Sequence, residues 1–561
     1  MVSFTIPPQL AQLAEAGCAR LALGSALFVA AGIATHLLYF IRGDRNRFAY
    51  KWINRILTGV AVLGAAVLYL TRFNVVESVA ATAAFTASYF TGLYASISVY
   101  RLFFHRLHRF PGPFWARLSN FYHAYIIRRS DNHLVMQRLH EKYGPIVRTG
   151  PSNLSVNDPA AIKIVLSNES KCTKSPWYER SLPVVNLHTV RDKKTHDARR
   201  KIFSKAFAPG ALQDYEERVV VHCEEFIRQM KCMAGQPFDA SDWFKYFAFD
   251  VMGDLGLGKE FHMMTSSQNR WIPTLLETSM ADVGPTTPIP WIASILHRLP
   301  RAGTHSRAWL EFVGSQVQER LRTKGVQRSD ILSHLIATYN DSAKTESDYQ
   351  WLRGDTRLTI VGGSDTTAAT LTFMFYYLAK DPSQVQKLRA ELEPLLQGGK
   401  TRLDPKDVSK AQHLNGVIQE ALRLHPAIPS GFPRLTPPEG ITVSGTYIPG
   451  DTVVVLPVYA MQHDKANYEA PDEFIPERWY SQPELIRNRE AFLTWNVGMN
   501  GCIGRALAVM EMRDLVVHWI QNFEGVEFAP GEDGRELLEE TKDHFTLGVK
   551  PLRLVFREKK I

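Results

Sequence analysis

Three apolar stretches fill most of the first hundred positions, and beyond them the chain alternates short apolar and charged runs. Leu21–Ile41, "LALGSALFVAAGIATHLLYFI", carries no formal charge, and about 20 apolar residues suffice for a helix to cross a bilayer. Ile56–Leu70 is a shorter candidate, and Val79–Tyr100 a third, richer in Ala, Ser and Thr. Five basic residues lie in Arg42–Arg55, one in Thr71–Ser78, and the basic run "RLFFHRLHR" follows the third stretch. Cationic loops tend to stay in the cytosol, so this pattern predicts three spans, a lumenal N-terminus and a cytosolic body after Tyr100. The competing reading is a single anchor with two amphipathic or buried segments. A cleavable signal peptide fits poorly, because the first apolar run begins only after residue 20.

Pro111 and Pro113 in "FPGPFWARLS" then forbid a continuous helix. The chain therefore divides into a membrane anchor at 1–104, a basic, proline-containing hinge at 105–125 and a body at 126–561. The body reads as mainly α with smaller β regions; "PIVRTG", "LSVND", "ITVSGTYI", "TVVVLPV" and "PLRLVF" are its strand-like pieces.

Composition changes this picture little: 45% hydrophobic and 22% charged residues are ordinary for a globular protein. A net charge of +9 suits an anionic membrane surface or an acidic protein partner. No basic run carries interleaved aromatics, so nucleic acid is not an expected partner. There is no GxGxxG or GxxxxGKS phosphate cradle, so nicotinamide or flavin chemistry must come from another protein. The five cysteines (Cys18, Cys172, Cys223, Cys232 and Cys502) form no CxxC pair, which argues for a reducing compartment. Four of them read as small buried or inert residues.

Cys502 differs. It lies between Gly498, Gly501 and Gly504, directly before the helix-forming "RALAVMEMRDLVVHWI". A helix N-terminus offers unpaired amides and positive potential to an anion. The glycines leave room for a flat ligand, as for a thiolate bound axially to haem iron. A second unusual segment, Leu358–Ala379, is a largely apolar helix interrupted by "GGSDTT". Gly362 and Gly363 each cost about 1 kcal/mol in a helix interior relative to Ala, and Asp365, Thr366 and Thr367 are poor helix formers. A locally opened helix over a haem face would explain them, with space for dioxygen and an Asp365–Thr366 proton relay. The alternative is a close helix crossing.

Together these segments resemble the cytochrome P-450 superfamily, over nearly all of the chain after Pro111. "WNVGMNGCIG" matches the family's cysteine loop at Trp495, Gly498, Cys502 and Gly504, and "GGSDTT" matches its oxygen-binding helix. "EALRLHP" supplies Glu420 and Arg423, and "FIPERW" supplies Arg478, the triad that braces the cysteine loop in the family. Glu-x-x-Arg begins also at Glu225, Glu484 and Glu532, but only the Glu420 copy stands in the family order. Two positions depart from the pattern: Asn500 replaces an arginine that pairs with a haem propionate, and Trp495 replaces a phenylalanine near the thiolate.

The resemblance implies a cytochrome P-450 fold behind transmembrane helices, with haem b as cofactor and Cys502 as the axial iron ligand. Thr366 and Asp365 become the catalytic residues. His196, Arg200 and Arg434 become candidate propionate partners, and Arg199 and Lys201 are expected on a solvated face. It further implies oxygen insertion into a hydrophobic small molecule. Electrons would come from an NADPH–cytochrome P-450 reductase, with cytochrome b5 a further candidate donor and Arg505 a docking cation. The pocket would be lined by Pro176–Val190, the oxygen-binding helix, Ala427–Phe432 and Asp543–Gly548. Three spans followed by "RFPGPFWARLS" resemble fungal microsomal members, anchored in the endoplasmic reticulum, many of which tailor polyketides, terpenoids or alkaloids. Detoxifying oxidation of simple aromatic or fatty acids is the alternative. A non-catalytic haem sensor or electron carrier is more remote, because it has no need of a distal proton relay.

Overall fold

The computed structural model describes residues 8–41, 48–281, 283–296, 298–299, 303–323, 329–396 and 403–559. All three N-terminal apolar stretches are helical. Pro8–Thr35 continues through His36–Phe40, Ala49–Leu70 is the second helix, and Val75–Val99 continues through Tyr100–Phe104. Arg42, Arg45 and Arg47, which carry much of the predicted orientation, lie outside the described residues. Among the described residues, two segments are long and apolar enough to cross a membrane: Ala19–Phe40 and Ala49–Leu70, of mean hydropathy 1.9 and 1.7. The third helix is more polar and packs on the first through glycine. A Cβ on Gly32 would fall 2.1 Å from the Tyr89 carbonyl oxygen, and one on Gly92 2.1 Å from that of Val29. Such reciprocal small-residue contacts let two backbones touch, and His36 Nδ1 lies 2.8 Å from Ser96 Oγ across the same contact.

The proline segment docks on the body. Pro111 accepts a hydrogen bond from Arg148 N at 2.7 Å, and Leu107 and Phe110 are buried with Leu154, Val156 and Val454. These belong to a five-stranded sheet of order Ile146–Gly150, Asn153–Val156, Val453–Val455, Arg434–Leu435 and Thr173–Lys174. The last two strands are antiparallel, and their register sets Lys174 directly opposite Arg434. Phe238–Asp239, Arg553–Glu558 and Phe523–Phe528 form a separate three-stranded sheet.

Helices make up the rest of the body. The longest, Glu346–Lys380, starts at a Thr345/Asp348 capping box and is buried almost continuously from Thr367 to Ala379. It packs against Ala240–Met252, Gln412–Leu424 and Arg505–Asn522. The predicted local opening is absent: this helix runs unbroken through "GGSDTT". Thr366 Oγ1 donates to the Gly362 carbonyl at 2.7 Å, and Thr370 Oγ1 to that of Thr366 at 2.9 Å. Hydroxyls that bond back one turn are satisfied inside the helix, so nothing forces it open. The two glycines divide the two sequence-based explanations between them. Gly362 faces open space, whereas a Cβ on Gly363 would lie 2.3 Å from Met252 Sδ, at a helix crossing.

Candidate functional site

The cysteine loop is shaped by a short 3-10 turn, Gly498–Asn500, and by Gly504, which caps Arg505–Asn522. Gly498 has φ of +64° and no room for a Cβ, which would sit 2.6 Å from Asn168 Oδ1. That oxygen accepts a hydrogen bond from Met499 N at 2.6 Å. Cys502 N donates to the Trp495 carbonyl at 2.8 Å, and the Arg505 guanidinium lies over the Trp495 ring. Burial raises the pKa of the Cys502 thiol. The amides of Gly504 and Arg505 and the charge of Arg200 oppose that rise without cancelling it. The expected anion-favouring donors are therefore in place, and a positive ligand at sulfur would complete what they begin.

The Cys502 side chain is enclosed by the protein but open to an internal cavity of about 1400 Å³ of empty space, counting its open part. Gly362, Gly363, Thr366 and Thr367 form its long-helix wall, and Trp495, Gly501 and Gly504 its cysteine-loop wall. Lys174, His196, Arg200 and Arg434 line it too. Arg200 Nη1 donates to the Gly501 carbonyl at 2.6 Å, and Arg434 Nη1 to Tyr178 Oη at 2.8 Å. Lys174 Nζ donates to the Leu187 and His188 carbonyls at 3.1 and 2.7 Å. Burial, assisted by Arg434, presses the Lys174 pKa down to about 7. Burial also lowers that of His196, whose Nδ1 is 3.1 Å from Asp197. Among the described residues Glu511 is the only carboxyl on this cavity. Burial, and secondarily Asp514, raises its pKa to about 8, so it is largely neutral at pH 7. Its Oε2 has no hydrogen-bond partner.

Asp365, beside Thr366, has a pKa raised to about 6 by burial, against the pull of a Thr546 hydrogen bond and the Lys245 charge. Lys245 in turn lies 3.6 Å from both Asp242 and Glu277, whose side chains reach solvent. A second cavity, of about 1410 Å³, shares Tyr178, His188, Leu358, Gly362, Thr366 and Ile428 with the first. Trp177, Trp309 and Phe545 supply much of its apolar lining.

Glu420, Arg423 and Arg478 are each 0% exposed. Glu420 accepts from Arg423 Nε and Nη2 (both 2.9 Å), Arg478 Nε (2.8 Å), Ile475 N (3.1 Å) and Trp479 Nε1 (2.9 Å). Arg423 Nη1 donates to the Gln462 carbonyl at 2.8 Å. Gln462 Oε1 accepts from Leu493 N and Thr494 Oγ1, both at 3.0 Å, just before the cysteine loop.

The sequence-predicted residues Cys502, Gly504, Trp495, His196, Arg200, Arg434 and Thr366 thus meet on one cavity. Asp365 and Gly498 stand behind its walls, and Glu420, Arg423 and Arg478 form a separate cluster. Arg199 overturns its expectation: it is half-buried and ion-paired with the wholly buried Asp355, while its guanidinium lies over Trp351. A buried carboxylate about two turns before "GGSDTT" on the long helix attracts it inward. Lys201 is exposed as expected. Sequence reasoning missed Lys174, Lys245 and Glu511. None sits in a motif, and only the pairing of Lys174 with Arg434 across two short strands brings it to the cavity.

A cysteine with helix-end amides aimed at its sulfur, and a cavity rimmed by cations that lack an anion, define a pocket for a flat, acidic cofactor bound through a thiolate. Residues 111–556 match the family model "Cytochrome P-450". The chain is 38% identical over 533 residues to the cytochrome P-450 monooxygenase lcsK of Purpureocillium lilacinum, covering 94% of this chain and 96% of that protein. It is 37% identical over 528 residues to the monooxygenase notG' of Aspergillus versicolor, covering 94% and 96%. Tryprostatin B 6-hydroxylase of Aspergillus fumigatus is 35% identical over 536 residues, covering 93% and 94%. The chain belongs to the cytochrome P-450 family and is a monooxygenase. Membership implies a thiolate-ligated haem, which the cysteine and the cationic rim fit, and a redox partner.

Proposed function

We propose that the protein is a membrane-anchored monooxygenase of fungal secondary metabolism that oxidises a hydrophobic small molecule. The anchor is residues 1–104, in the endoplasmic reticulum membrane, with residues 105–125 leading to a cytosolic body at 126–561. An NADPH–cytochrome P-450 reductase supplies electrons, with cytochrome b5 as an auxiliary donor, and Arg505 is exposed where such an acidic partner could dock. The relatives support this reading, because they are fungal monooxygenases and one bears the name of a tryprostatin B hydroxylase.

Cys502 Sγ would hold the iron of haem b, while Lys174, His196, Arg200 and Arg434 would hold its two propionates. When bound, haem supplies dioxygen activation and transfer of one oxygen atom. The chain's own residues manage protons and space. Gly362 keeps the long-helix wall open, and Thr366 presents its hydroxyl to the cavity. Asp365, with a pKa of about 6, can both take and release a proton near neutrality. Lys245, Asp242 and Glu277 link Asp365 to the surface. Glu420, Arg423 and Arg478 hold the loop through Gln462.

The observation that carries the proposal is the meeting of Cys502, Thr366 and three basic side chains that lack a carboxylate partner, Lys174, Arg200 and Arg434, on one cavity. The reduced protein with carbon monoxide should show the absorption band of thiolate-ligated haem, and Cys502→Ala should abolish it. A wild-type protein without that band would refute the assignment. Asn153, Asn168 and Asn340 begin glycosylation sequons, and Asn168 pins the cysteine loop. All three should stay unmodified in cells, as a cytosolic body requires.

A further inference from the structure

The second cavity contains a cation with nothing to bind. Arg357, half-buried, lines it, and among the described residues it makes no hydrogen bond or ion pair. Its neighbours are committed elsewhere. Arg353, one turn earlier, donates Nε and Nη2 to the Leu310 carbonyl at 3.1 and 2.6 Å. Arg180 donates to Thr286 Oγ1 at 2.9 Å. His188 is held neutral, chiefly by burial, with a pKa of about 3. No carboxylate appears among the described residues that line this cavity. Burial and the charge of Arg353 both disfavour the Arg357 cation, yet an arginine does not give up its proton. Arg357 is half-buried and opens onto the cavity, so its planar fork is placed to meet a carboxylate with two parallel hydrogen bonds.

We propose that Arg357 determines specificity by anchoring a carboxylate at the end of the substrate remote from the carbon that is oxidised. The inference rests on the monooxygenase reading and adds the substrate class, an elongated apolar acid. Arg357 and Thr366 lie on the same helix, nine positions apart in sequence, which separates them by about 13 Å along its axis. Leu358, Val361, Ile428 and Phe545 line the space between the two ends. They would cover a hydrocarbon or aromatic body that spans from the guanidinium to the cavity on which Cys502 opens.

The test uses full-length, haem-loaded protein in lipid nanodiscs, with dodecanoic acid and methyl dodecanoate as probes and equilibrium dialysis as the measurement. Comparing the acid-to-ester affinity ratio between wild type and variants cancels partitioning into lipid. The ratio should fall by about 10- to 100-fold in Arg357→Met, the range of a charged hydrogen-bonded contact, with ester affinity unchanged. Arg357→Lys should retain part of the preference. In the absence of ligand, Arg357→Met should melt no lower than wild type, because Arg357 makes no hydrogen bond or ion pair among the described residues. A ratio equal in wild type and Arg357→Met overturns the proposal. So does a lower melting temperature of that variant, which would reveal a fixed structural partner. Dialysis does not depend on the haem spectrum, so a missing carbon-monoxide band would count against the monooxygenase reading alone.

Discussion

Two buried clusters in this protein are rich in cations, and they are built on opposite principles. Around Glu420, each arginine faces a carboxylate and carbonyls, and the cluster is closed within the chain. Around Arg434, three basic side chains (Lys174, Arg200 and Arg434) share a cavity whose only described carboxyl is largely neutral, and two of them face each other across an antiparallel strand pair. Like charges placed opposite on a sheet repel. A closed cluster of this kind fixes a loop in place, whereas an open one is waiting for a ligand. Charge count alone would have given both the same role.

The largest effect should come from opening the closed cluster. Glu420→Ala leaves Arg423 and Arg478 buried without their counter-ion, and breaking such a pair costs about 3–5 kcal/mol. Thermal unfolding and the yield of folded protein should both collapse, with haem or without it; a stable apoprotein would break the comparison. Arg434→Leu should do the reverse. It should weaken haem retention by about 10- to 100-fold, the value of a charge-assisted contact, while leaving apoprotein stability equal or improved, as haem titration and calorimetry would show.

Lys174 sharpens the contrast through pH. Its folded pKa is about 7 against an ordinary 10.5, so between those values the unfolded chain binds the extra proton. Apoprotein stability should therefore rise with pH from about 7 toward 10, and Lys174→Met should flatten that rise. Propionates would restore the charge, so haem binding at pH 8–9 should take up a proton that the variant does not.

The smallest effect concerns Asp365, a carboxylate only partly partnered. Its folded pKa of about 6 exceeds the ordinary 3.8, so the folded state binds more protons between those values. Stability should fall as pH rises from about 4 to 6, and Asp365→Asn should remove that slope. The same variant should divert NADPH oxidation from product, measured as the ratio of product formed to NADPH consumed.

Legibility in the sequence followed how local each feature is. The cysteine loop and the glycine-bearing helix were readable because glycine, thiol and helix start lie within a few positions. The strand-like pieces were readable by apolar runs bounded by turn residues. Spacing alone could not rank the Glu-x-x-Arg copies: Glu225 and Arg228 also pair, but with Arg228 66% exposed, and what separates them from Glu420 is burial by distant residues. Lys174 and Lys245 were invisible for the same reason, since each reaches its site through pairing or packing with residues far along the chain. The open-helix expectation failed because threonine hydroxyls that look helix-averse in sequence can bond back to their own backbone.

Strand Thr173–Lys174 pairs with Arg434–Leu435 through only two positions, and that short seam holds two mutually repelling charges. A freshly synthesised chain without haem would hold these charges uncompensated here, which would give proteolytic quality control a place to begin. Cells short of iron should consequently hold little of this protein even when its messenger RNA is abundant.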